Sequence, residues 1–140
     1  MTEPLEKDQI VDIAKDRERS LGTSGRMLLP CPATVEAVVK RVPKNKVVTT
    51  DLIRKELATQ FNVETTCPFN TKLCLRVLAN DPHKKLAYWR VLKGNGELMN
   101  YFPGGVEGQA SLLKKEGFVI DTKGKAPKVK QFKESLFSLS

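Results

Sequence analysis

Long apolar runs, histidine and aromatic side chains are all scarce in this sequence, and each shortage excludes something. No stretch of about 18 apolar residues occurs, so no segment reads as a transmembrane helix. The opening MTEPLEKDQIVDIAKDRERS is charged throughout and lacks the apolar stretch of a secretory signal, which predicts a cytoplasmic protein. The three cysteines are Cys31, Cys67 and Cys74. An odd number with no signal argues against a disulfide framework. His83 is the single histidine, and Cys67 and Cys74 do not form a C-x-x-C pair. Four zinc ligands are therefore hard to assemble, and neither a metal nor another cofactor is expected. Aromatic residues make up 6% of the chain, yet the one tryptophan and both tyrosines fall together in LAYWRVLKGNGELMNYFPGG, residues 86–105.

Positive charge is plentiful. Lys and Arg number 24 against 16 Asp and Glu, a formal net charge of +8. That balance points to a polyanionic partner, with nucleic acid ahead of a membrane surface. The apolar fraction of 40% in 140 residues suffices for one modest core.

Residues 5–19 carry Leu5, Ile10, Ile13 and Ala14 as an apolar stripe, which predicts a short helix. SLGTSGR, 20–26, reads as a connection, and LLPCPA, 28–33, as an extended lead-in. TVEAVVKRVP has a threonine at its start, Val35, Val38, Val39 and Val42 on one side, and Pro43 at its end, the pattern of a second helix. After an extended VVTT, Thr49 or Thr50 caps DLIRKELATQF, with Leu52, Ile53, Leu57 and Phe61 as its buried face. NVETT breaks the pattern before CPFNTKLCLRVLANDP, where Pro68 suits a first helical turn and Asn80-Asp81-Pro82 a stop.

In that helix the expected apolar face is Phe69, Leu73, Val77 and Leu78. Lys72, Arg76 and Asn80 recur every four positions on another face, near Asn70 and Thr71. Two helices joined by a short break, the second with a basic stripe, fit a helix-turn-helix. An ordinary amphipathic helix with a basic solvent face fits equally well. LAYWRVLK and ELMNYF, joined by Gly94-Asn95-Gly96, predict a β-hairpin. PGGVEGQASLLKKEGF predicts a last helix with Val106, Leu112 and Leu113 inward, stopping at Gly117. From Asp121 onward the chain is lysine-dense, which suits either a phosphate-tracking tail or a solvated terminus.

This order of elements and motifs (KVVTT, the CP-initiated helix, RV, the glycine turn, NY, GG and LL…EG) resembles the DNA-binding domain of DNA alkylguanine alkyltransferases. It is closer still to their non-catalytic relatives, the alkyltransferase-like proteins. The resemblance covers roughly residues 33–118. It implies an α+β, mostly helical fold, a winged helix-turn-helix with a small β-hairpin. It also implies three parts: an N-terminal extension over 1–32, the DNA-binding domain over 33–118 and a basic tail over 119–140. In the family a P-C-H-R-V motif carries the cysteine that accepts an alkyl group from a flipped guanine. Anchored on Arg90-Val91, Tyr88 stands at the cysteine position and Trp89 at the histidine position, and a one-residue slip puts Trp89 in the cysteine slot. The glutamate of the relay falls on Ala110. A thiol acceptor requires a base and a group that orients it, so the resemblance implies a protein that is not an enzyme.

By the same resemblance Lys72 stands where the family inserts an arginine into the base stack, Thr50 where a tyrosine often contacts the phosphate, and Tyr101 at the tyrosine of N-Y-S-G-G. The implied DNA contacts are Thr50, Asn70, Thr71, Lys72 and Arg76. The implied lesion pocket is lined by Tyr88, Trp89, Arg90 and Tyr101. The partners implied are double-stranded DNA, with or without alkylated guanine, and downstream repair proteins, bound by a monomer. Three other readings compete: a winged-helix regulator or architectural protein whose aromatics are core, an alkyl acceptor using Cys31, Cys67 or Cys74, and a protein-interaction module.

Overall fold

The structure is a computed structural model that describes residues 3–140. Its chain runs β1 (Gln9–Asp12), α1 (Lys15–Leu21), β2 (Arg26–Leu29), α2 (Pro32–Val39), β3 (Val48–Thr49), α3 (Thr50–Gln60), β4 (Thr65–Thr66) and α4 (Pro68–Ala79). A 3-10 turn at Tyr88–Arg90, β5 (Val91–Leu92), α5 (Gly105–Lys115), β6 (Ile120–Asp121), β7 (Lys128–Val129) and a second 3-10 turn at Phe132–Ser135 complete it. No helix among the described residues is long and apolar enough to cross a membrane.

The centre is built by α2, α3 and α4. Val35, Val38 and Val39 from α2, Ile53 and Leu57 from α3, and Cys74, Leu75 and Leu78 from α4 interlock in one buried cluster. Each fully buried side chain of this kind contributes roughly 1.5–3 kcal/mol by leaving water. Thr49 starts α3 with its hydroxyl accepting the Leu52 N–H at 3.2 Å, a cap worth about 1 kcal/mol. Pro68 occupies the first turn of α4, where its missing N–H is no loss. The expected face of α4 is rotated. Phe69 and Val77 are exposed, and the buried positions are Thr71, Leu73, Cys74, Leu75, Leu78 and Ala79.

The predicted helix over 5–19 is instead a strand followed by a shorter helix. The Ile10-Val11 pair favours extended backbone, and β1 pairs antiparallel with β2, which pairs parallel with β4. Tertiary pairing thus overrides the helical spacing. Asp8 holds this segment to α2, accepting the Cys31 N–H at 2.8 Å and the Thr34 hydroxyl at 2.7 Å. The helix therefore begins at Pro32, ahead of the threonine expected to cap it.

The predicted hairpin does not form either. The glycine turn is present, with the Gly96 N–H donating to the Lys93 carbonyl at 2.8 Å. Val91–Leu92, however, pairs parallel with β3, and the Leu98 N–H donates to the carbonyl of Pro127. The lysine-rich segment is folded: β6 and β7 form an antiparallel pair, and Val129, Phe132 and Leu139 are buried. Gly96, at φ 88°, lies directly under the Phe132 ring, where a Cβ has no room. Val129 and Phe132 join Val47, Leu92, Leu98 and Leu113 in a second cluster beside the first.

Candidate nucleic-acid interface

The start of α3, the first half of α4 and the segment 93–101 enclose a groove of about 320 Å³. Thr50, Arg54, Lys72, Lys93, Asn100 and Tyr101 line it. Four of the residues expected from sequence, Thr50, Thr71, Lys72 and Tyr101, meet here. The Lys72 ammonium sits 5.2 Å from the centre of the Tyr101 ring, within cation–π range. Burial pushes the Tyr101 hydroxyl up to about 12, against the opposing pull of Arg76, so it stays protonated as a hydrogen-bond donor at neutral pH. Arg54 donates to the Thr66 carbonyl at 2.9 Å and ties α3 to β4. Lys93 and Arg54 add positive charge that sequence reasoning missed, offset in part by Asp51, which lines the same groove 3.8 Å from Arg54.

The other expected contacts divide. Arg76 is exposed on the outer face of α4, in line with Lys72. Asn70 is half-buried. Thr71 also lines the groove, with its hydroxyl turned inward and donating to the Cys67 carbonyl at 2.8 Å. Asn80 donates to the carbonyls of Arg76 and Tyr101 and links the end of α4 to the groove's far wall.

Tyr88, Trp89, Phe102 and Tyr101 form a continuous row of edge-to-face contacts. Ring centres are 5.4 Å apart for Tyr88 and Trp89, 5.0 Å for Tyr88 and Phe102, and 5.1 Å for Phe102 and Tyr101. Such pairs add about 0.5–1.5 kcal/mol each beyond burial. Phe102 is buried between the two tyrosines. The row ends at Lys72, so the aromatics and the groove are physically continuous.

Trp89 and Arg90 are anchored at the opposite end. Glu116 accepts the Trp89 indole N–H at 2.9 Å and pairs with Arg90 at 2.8 Å, while Arg90 also donates to the Val42 carbonyl at 2.8 Å. The Glu116 side chain is 8% exposed and that of Arg90 15%. Burial alone pushes the Glu116 carboxyl up. The Arg90 and Trp89 donors, the Arg90 charge and the Asn45 N–H outweigh it and hold the carboxyl below its usual range. Ala110, the residue aligned with the family's relay glutamate, packs against the second cluster.

Gln109 explains why residues 88–99 are not a hairpin. Fully buried, it accepts the Met99 N–H at 2.6 Å and donates to the carbonyls of Trp89 at 3.0 Å and Val91 at 2.8 Å. One side-chain amide thereby replaces the ladder bonds that two strands would have exchanged. Cys31, Cys67 and Cys74 are buried. Cys74 donates to the Pro30 carbonyl, and burial, with smaller contributions from Cys31 and Asp8, pushes its thiol up to about 12. A protonated, enclosed thiol is a poor nucleophile. Among the described residues, no group of three or more His, Cys, Asp and Glu could hold a metal ion.

No protein-family model matches the sequence, and no curated protein does. Solved structures do match. A crystal structure of S. pombe Atl1 in complex with damaged DNA containing O6-carboxymethylguanine superposes with a TM-score of 0.58 at 18% sequence identity, covering 76% of this chain and 94% of that chain. The chain has the Atl1 fold. A structure of S. pombe ATL in complex with DNA matches with the same TM-score, identity and coverage. The α+β architecture implied by the order of motifs is thus the observed one, and α5 forms where it was expected. In contrast, β1, the segment 97–102 and the lysine-rich stretch depart from the expectation. The Atl1 likeness settles the scaffold, and the groove's own chemistry must carry any statement about function.

Proposed function

We propose that this chain is a non-enzymatic, DNA-binding protein of the alkyltransferase-like type, with α4 as the element that meets the duplex. The observation that carries the reading is the convergence of Thr50, Lys72 and Tyr101 in one groove between α3 and α4. Its support is the fold, shared with proteins solved in complex with DNA, and the net charge of +8. Lys72 and Arg76 engage phosphates, the Thr50 hydroxyl donates to one, and Tyr101 marks the inner wall. The finer proposal is that an alkylated guanine, extruded from the stack, is received against the row Tyr101, Phe102, Tyr88 and Trp89. Stacking offsets the few kcal/mol of unpairing, which is smallest for a damaged base. The buried thiols leave no acceptor for the alkyl group, so binding marks the lesion for repair proteins.

One observation favours a second reading, a regulator or architectural protein that binds undamaged duplex. Phe102 fills the space between the tyrosines, and Trp89 and Arg90 are committed to Glu116. Titration of Trp89 fluorescence with paired oligonucleotides, one carrying O6-alkylguanine and one plain, separates the two at fixed salt. Tighter binding and larger quenching with the lesion support the first reading, and equal affinities support the second. A chain that binds neither duplex in a salt-dependent way refutes both. Lys72→Ala is expected to lower the slope of log affinity against log salt by about 1 on both duplexes.

A further inference from the structure

Four large apolar side chains are exposed among the described residues: Ile10, Phe69, Val77 and Val119. Two of them lie on α4, and Phe69, at 54% exposure, is the only aromatic. Phe69 occupies the first turn, directly after Pro68. Phe69, Lys72 and Arg76 stand at i, i+3 and i+7, which places them on one face of the helix. Helical side chains lean toward the N-terminus, so the ring lies at the leading edge of this face, ahead of both cations. Lys72 is drawn sideways over Tyr101 and into the groove, so it does not cover the ring.

An unpaired ring in line with two cations matches a polyanion with an apolar interior. The cations suit phosphates, and the ring suits the face of a base. A protein partner would need a broader apolar patch than Phe69 and Val77 supply, because stable interfaces bury about 800 Å² on each side. The geometry points to Phe69 as a wedge that inserts between neighbouring bases of the duplex docked on α4, parting one base step. This rests on the DNA-binding reading above and assigns the contact to a residue outside the aromatic row. Phe69 belongs to none of the buried clusters, so removing the ring is expected to change stability little.

The test uses the full chain and a duplex with 2-aminopurine at the centre of the site, read by fluorescence and by anisotropy across a salt series. Wild-type protein is expected to raise 2-aminopurine emission as the base unstacks. Phe69→Ala is expected to abolish that rise and weaken binding roughly ten- to hundredfold while keeping the salt slope. Phe69→Trp restores both signals, and all three proteins melt at the same temperature. If Phe69→Ala binds as tightly and still raises emission, the inference is wrong and the DNA-binding reading stands. If the wild-type chain binds no duplex at low salt, both fall together.

Discussion

Glutamine at position 116 isolates the contribution of a buried charge. Glu116 accepts from the Trp89 indole and from Nε and Nη2 of Arg90, and neither ionic partner is more than 15% exposed. Removing one member of a buried ion pair costs about 3–5 kcal/mol, because the survivor is left charged and unpaired. Glutamine retains one acceptor oxygen, and Arg90 keeps the Val42 carbonyl, so the expected loss for Glu116→Gln is about 2–3 kcal/mol. At about 4 °C per kcal/mol for a domain of this size, the melting temperature falls by roughly 10 °C. Circular dichroism melts at pH 7 and in acid provide the assay. The folded carboxyl is held below the ordinary value of 4.5, so its contribution is complete above that pH. It disappears as pH falls through the lower folded value. The gap between wild type and variant is therefore widest near neutrality and closes in acid. Equal melting temperatures at pH 7, or a gap that does not narrow below pH 4.5, would refute the argument.

Two further outcomes concern a buried amide and the buried thiols. Gln109→Leu orphans the Met99 N–H and the carbonyls of Trp89 and Val91, with an expected loss of about 3 kcal/mol. In urea the midpoint drops with little change in slope, and an unshifted midpoint would show that the amide bonds are dispensable. The three thiols should resist a thiol-specific reagent at pH 8 until the protein is unfolded, since all are buried and the Cys74 thiol is pushed up to about 12. Rapid labelling of the native chain would reopen the case for a cysteine acceptor.

The central helices were legible because their signals are local. Thr49 caps α3, Pro68 opens α4, and valine and leucine spacing marks their inner faces. The flanking elements depend on partners far along the chain. Residues 9–12 are a strand because β2 is there to pair with them. The glycine turn at 94–96 was read correctly, yet Leu98 bonds to Pro127 instead of folding back on β5. Spacing cannot reveal such partners. The resemblance pointed to Thr50, Thr71, Lys72 and Tyr101, which the structure gathers along one groove. The inward aim of the Thr71 hydroxyl left no trace in the sequence, because a single-residue rotation decides it. Glu116 left a faint trace. An acid at the C-terminus of α5, where the helix field favours cations, breaks a local rule, and such breaches call for a tertiary partner.

Residues 135–139 shape how the molecule assembles. Arg41 donates to the carbonyl of Leu139, 98 positions away, and Val47 exchanges backbone bonds with Ser135 and Phe137. The strand that leads into α3 is therefore completed by residues synthesised long after it. Contacts of such high sequence separation slow folding, since a long loop must close before they form. Until then Val47 and the apolar side of 132–139 stay open to water, and the nascent chain passes through a stage in which its helices are made but one flank is unsealed.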